Sequence, residues 1–178
     1  MLEIYQKTIS EPIKFEGIGL HSGKISKIRV LPGKEDQGIS FKRIDLKENN
    51  LILAKYHNVS SAKLCTTLNN EHGVKVSTVE HLLAALYISE IDNAIIEIDN
   101  EEVPIMDGSA KDFLDILAKI KTRTLTKKRK YLKILDNVEL KDGERKISIE
   151  PSNSSFEVYF QLDYKNKVIG KQKNLVNF

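Results

Sequence analysis

A single cysteine, Cys65, in 178 residues rules out an internal disulfide framework. It fits a reducing cytoplasm, which is the expected compartment. No long apolar run is present, and the N-terminal stretch Met1-Leu2-Glu3-Ile4-Tyr5-Gln6-Lys7 carries charge at once. Neither a secretory signal nor a transmembrane segment is therefore expected. Charge of one sign is not in excess: a net charge of +3 does not call for nucleic acid. Internal repeats are absent to the eye. The glycines of Gly17-Ile18-Gly19-Leu20-His21-Ser22-Gly23 precede no helical pattern, so they are not a dinucleotide fingerprint. Histidine is sparse, and none follows His81.

What is present reads as a soluble globular chain, with 40% hydrophobic and 30% charged residues. Its length suits one well-filled domain, or one domain and part of another. Ile9 to Phe15 is extended and interrupted by Pro12. Ile28 and Val30 alternate with Lys27 and Arg29 before a turn at Pro32-Gly33, and Ile39 and Phe41 mark the next strand. Lys63 to Leu68 is β-compatible, and Asn69-Asn70-Glu71-His72-Gly73 supplies a hairpin turn. Ala94 to Ile98 is a further strand. His57 and His72 read as surface residues, and Cys65 as a small buried hydrophobe.

Ser77 followed three residues later by Glu80, ahead of an apolar run, reads as a helix start with a capping box. Val79, Leu82, Leu83 and Leu86 recur at i, i+3, i+4, i+7 and form a core stripe. At roughly 100° per residue, Glu80 falls at the flank of that stripe and His81 nearly opposite it. Ala84 and Ala85 continue those two rows and leave the face open. Two readings stand side by side. In one, Glu80 only caps the helix and His81 is solvated. In the other, His81 is a neutral nitrogen ligand for a metal and Glu80 the base beside it. The positive end of the helix favours an ionised Glu and disfavours a protonated His. One histidine does not make a zinc site, so the pair is half a site at most.

A second helix is expected from Ser109, with Asp112 at capping-box spacing and Phe113, Ile116, Leu117 and Ile120 as its stripe. Asp107, beside Gly108, reads as a turn residue rather than a catalytic acid. Residues 1–120 thus outline an α+β two-layer sandwich, a mostly antiparallel sheet packed on two helices. Residues 121–130 hold six basic side chains and read as a solvated linker, less readily as a patch for an anionic substrate or lipid. Beyond it, Tyr131 to Leu140, Arg145 to Glu150 and Phe156 to Tyr164 are expected as a β-meander, with turns at Asp142-Gly143 and Pro151-Ser152-Asn153. Phe156, Val158, Phe160 and Leu162 give it an apolar face that the polar tail from Lys165 does not cover. Residues 131–178 are accordingly expected to be an incomplete second domain of a truncated chain.

The glycine-rich stretch at 17–23, Leu64-Cys65-Thr66-Thr67, Ser77-Thr78-Val79-Glu80-His81-Leu82 and Pro104-Ile105-Met106-Asp107-Gly108-Ser109-Ala110 together resemble the UDP-3-O-acyl-N-acetylglucosamine deacetylases. These are the zinc amidases of lipid A synthesis, and the resemblance spans the chain. It implies two domains of similar topology with the active site between them. His81 then matches a Zn2+ ligand and Glu80 the general base, while His21, Leu64 and Cys65 match substrate-side positions. Two further zinc ligands (a His and an Asp one helical turn apart), a His acting as general acid, and an acyl-chain passage are implied for the second domain. No His-x-x-x-Asp occurs in these residues. The chain is expected to bind zinc weakly by itself and to need a missing C-terminal half. The competing expectation is a non-catalytic binding module acting through its exposed first-domain face.

Overall fold

Alternating apolar and polar residues in the first hundred positions produce a sheet with one buried and one charged face. The structure, a computed structural model, describes residues 4–153 and 155–177. Met1 to Glu3 of the N-terminal stretch and Phe178 of the tail lie outside the described residues. The chain divides into two compact units, Met1–Arg129 and Lys130–Phe178. The first unit opens with β1 (Tyr5–Ile9), β2 (Ile13–Ile18), β3 (Ile25–Pro32), β4 (Ile39–Arg43) and β5 (Leu51–Leu53). Three short strands follow, β6 (Val59–Ser61), β7 (Thr67–Asn69) and β8 (Lys75–Val76), then α1 (Glu80–Ile88). It closes with β9 (Ala94–Ile98), α2 (Lys111–Leu117) and β10 (Thr122–Lys128).

The main sheet has the order β2-β3-β9-β4-β5. All its pairs are antiparallel except β4 with β9, so the sheet is mixed but mostly antiparallel, as expected. Its register sets the core. Ile13, Val30, Ile96, Phe41 and Ile52 stand opposite one another in one row across the five strands, and all are buried. The neighbouring row on the other face reads Lys14, Arg29, Glu97 and Lys42. There Arg29 Nη2 lies 2.5 Å from Glu97 Oε2, and Lys42 Nζ 3.9 Å from Oε1. A charged face needs no covering layer, and the helices belong to the apolar one. α1 buries Leu82, Ala85 and Leu86, and α2 buries Phe113 and Leu117. The Phe113 ring meets Phe15 of β2 edge-on, with centroids 5.1 Å apart.

Four expectations change. Ala85, expected on an open face, is fully buried, so α1 offers a narrower exposed strip. The basic run 121–130 is not a solvated linker over most of its length: Thr122–Lys128 is β10, paired antiparallel with β1, and the first unit runs to Arg129 rather than 120. β1 requires a partner for its backbone groups, and Thr122, Thr124 and Thr126 supply β-branched residues at the period of a strand. Lys63 to Thr66 forms a bent loop, not a strand. In the second unit the meander is replaced by two separate hairpins. One joins β11 (Val138–Asp142) to β12 (Arg145–Ile149), the other β13 (Glu157–Asp163) to β14 (Lys171–Asn177). β14 lies in the polar tail, for which no strand was expected. It is drawn into register by the turn ending at Gly170, which takes φ +57°.

Phe113 joins helix to sheet and is wholly buried. Phe113→Ala is expected to destabilise the chain by about 3–5 kcal/mol, read from the midpoint of urea unfolding.

Candidate active site

α1 begins at Glu80, not near Ser77, because the chain reverses at Thr78. Thr78 is buried, β-branched and left-handed (φ +57°), a conformation that costs on the order of 1–3 kcal/mol. Its hydroxyl donates to Glu102 Oε1 at 3.0 Å. Ser77 forms a parallel bridge with Glu102: its N–H donates to Glu101 O at 2.9 Å, and Val103 N–H donates to Ser77 O at 3.0 Å. The Ser77 hydroxyl donates to Glu101 O at 3.2 Å. The expected capping box is thus absent. Val79 occupies the cap position in helical conformation, with no side-chain cap. The second expected box fails in the same way, since α2 starts at Lys111 without a side-chain cap at Ala110. Ser109 instead accepts from Lys111 N–H at 3.0 Å, and Asp107 from Ser109 N–H at 2.9 Å. Asp107 is a turn residue, and these Ser109 bonds hold its carboxyl below the usual range.

Freed from capping, the Glu80 carboxylate accepts Thr66 N–H at 3.0 Å. Val79 N–H in turn donates to Thr66 O at 3.5 Å, so the 64–66 loop is docked on the first turn of α1. Leu64 in that loop is left-handed (φ +69°) and 84% exposed. Cys65 is half-buried rather than buried, its Sγ 3.8 Å from Thr67 Oγ1. His81 is half-buried, and its imidazole makes no hydrogen bond or ion pair among the described residues. His21, His57 and His72 are exposed.

One residue that sequence reasoning missed ties these segments together. Glu102 is 1% exposed and accepts His21 N–H at 2.9 Å, Ser22 N–H at 2.7 Å and the Thr78 hydroxyl. Burial alone would raise its carboxyl pKa. The bonds from Ser22, His21 and Thr78 outweigh burial and hold it below its ordinary value. A Cβ on Gly19 would overlap this carboxylate and the Ser22 hydroxyl, so only glycine lets the turn come this close. The available signal was a carboxylate, second of the pair Glu101-Glu102, directly before the apolar stretch Val103-Pro104-Ile105. Glu102 also borders an open depression lined by His21, Ser22, Thr67, Lys75 and Ser77. The structure therefore brings His21, the Leu64-Cys65 loop and the Glu80-His81 pair to one end of α1, largely through bonds from backbone N–H groups to the Glu102 and Glu80 carboxylates. No group of three His, Cys, Asp or Glu able to hold a metal occurs among the described residues.

A family profile described as UDP-3-O-acyl N-acetylglycosamine deacetylase (LpxC) matches residues 6–178. The chain is 41% identical over 173 residues to a protein of Nautilia profundicola named UDP-3-O-acyl-N-acetylglucosamine deacetylase, covering 97% of this chain and 58% of the relative. Proteins of the same name from Geotalea uraniireducens and Shewanella violacea are 39% and 38% identical, over 98% and 96% of this chain. The chain spans about half the length of the curated relatives it matches, 56% and 55% for these two.

Because the Glu102 pKa is lowered on folding, its contribution is complete above the ordinary value of 4.5 and fades as pH falls through the folded value. Glu102→Gln leaves one of two backbone N–H donors facing an amide NH2, and is expected to cost about 2–3 kcal/mol at neutral pH. The gap between parent and variant should close on acidification below about pH 4.5, as measured by urea unfolding across that range.

Proposed function

This chain belongs to the UDP-3-O-acyl N-acetylglycosamine deacetylase family, and on that premise we propose that it carries one lobe's share of a metal-dependent deacetylase site. The substrate is UDP-3-O-acyl-N-acetylglucosamine, the compound in its relatives' names, handled in the cytoplasm during lipid A synthesis. The observation that carries the reading is the Glu80 carboxylate. It is released from capping and aimed by Thr66 N–H, next to a half-buried imidazole with no partner among the described residues.

His81 offers one neutral nitrogen lone pair, the donor type zinc accepts, and Glu80 is the adjacent carboxylate. This suits a share of a catalytic site, with the remaining ligands coming from outside these 178 residues. Bound there, Zn2+ supplies Lewis acidity that polarises the N-acetyl carbonyl and makes water a better nucleophile. Glu80 takes the proton from the attacking water as the water oxygen bonds to the carbonyl carbon. The C–N bond then breaks, acetate departs, and the sugar amine takes up a proton. Thr66 N–H keeps one carboxylate oxygen fixed, so the other faces the reaction. His21, Leu64 and Cys65 lie on the substrate side, where Leu64 presents an exposed apolar side chain. The hairpins of residues 138–177 are the first strands of a second lobe of like topology. No helix among the described residues is long and apolar enough to cross a membrane.

The test uses this chain alone and mixed with the C-terminal part of the Geotalea uraniireducens relative, with zinc measured after dialysis and acetate release assayed. The mixture should hold zinc and release acetate, and the chain alone should do neither. In the mixture, Glu80→Gln should keep zinc and slow release by about 10²–10⁴-fold, and His81→Ala should lose both. A His81→Ala mixture with parental zinc and turnover would sink the reading.

A further inference from the structure

We propose that Glu102 is a positioning residue for the Glu80-His81 pair. Its buried carboxylate locks Thr78 in the left-handed turn that launches α1, and ties the turn carrying His21 to the same point. The inference rests on the reading of Glu80 and His81 given above. Three observations carry it.

First, Glu102 is almost fully buried, yet its bonds come from two backbone N–H groups and hydroxyls, with no Lys or Arg paired to it among the described residues. A buried charge without a cation is an expensive way to fill space, and an apolar side chain would pack there at lower cost. Second, Thr78 stands two residues before Glu80, and its backbone sets the direction in which the helix leaves β8. A non-glycine residue persists in that conformation only when its surroundings over-determine it, and the hydroxyl bond to Glu102 does so. Third, the same two oxygens hold His21 N–H and Ser22 N–H, and Gly19 has no Cβ where one would collide with them. One group thus fixes the His21 turn against the start of the helix. Among the described residues Glu102 makes no hydrogen bond or ion pair with Glu80 or His81. It acts through Thr78.

The experiment separates aiming from folding. The His81 imidazole is followed by NMR in the full chain during titration with Zn2+ alone, for the parent, Glu102→Gln, Thr78→Val, Thr78→Ser and Ile52→Val. Thr78→Val removes only the hydroxyl bond and serves where Glu102→Gln unfolds, Thr78→Ser restores that bond, and Ile52→Val thins the core on β5. Glu102→Gln and Thr78→Val should weaken zinc binding at His81 by roughly tenfold, the low end for outer partners of a metal ligand. Thr78→Ser and Ile52→Val should bind as the parent does. Parental affinity in Thr78→Val, or an equal loss in Ile52→Val, would overturn the positioning role and leave the site assignment intact. A parental His81 imidazole that does not respond to Zn2+ would bring down the metal-ligand reading, and the positioning role with it.

Discussion

A carboxylate taken out of water must be satisfied, and the demands of Glu102 organise the front of this molecule. Its two oxygens draw in the 19–22 turn from one side and Thr78 from the other. Ser77 is held alongside by the bridge to the Glu101-Glu102 backbone. These bonds impose the left-handed backbone at Thr78, the late start of α1 and the release of Glu80 from capping. The Glu80-Thr66 bond follows, because a carboxylate no longer folded back on its own helix is free to receive an N–H from the 64–66 loop. Residues far apart in sequence thereby become neighbours through main-chain geometry.

Behind that front lies the mixed sheet, which gives the site a rigid base. β9 is central, antiparallel to β3 on one side and parallel to β4 on the other, so its apolar residues pack across the full width of the core. α1 and α2 close over this face, and the proposed site lies at the N-terminal end of α1. A second polar set braces the opposite region. Asn93 donates to Gln6 Oε1 and accepts Gly38 N–H, while Thr8 donates to Asn93 O and accepts Gly33 N–H. Gly33 belongs to this brace, for a Cβ there would lie 2.6 Å from the Asn93 carbonyl carbon.

Local periodicity made the sheet and the helices legible. The alternation of β3, the apolar run of β9, the stripes of α1 and α2 and the Asp107 turn all follow from patterns a few residues long. The failures at Ser77-Glu80, at Thr122 to Lys128 and at Glu102 share one cause, since each depends on a distant partner. Ser77 and Glu80 have the spacing of a capping box, but the contact that decides their conformation comes from Glu102. Thr122 to Lys128 reads as a basic linker until β1 is seen to need an opposite strand. Glu102 itself passed unnoticed because a single Glu beside Glu101 looks like surface. The family motifs pointed to His81 and Glu80 without any of this geometry, and they did not point to Glu102.

The pairing of β1 with β10 sets the order in which the molecule is made. Tyr5 finds its partner in Lys128, so the opening strand leaves the ribosome long before its mate exists. At common translation rates that interval is on the order of 6–25 s. Throughout it one edge of the nascent chain has unmatched backbone groups, a condition that invites wrong neighbours.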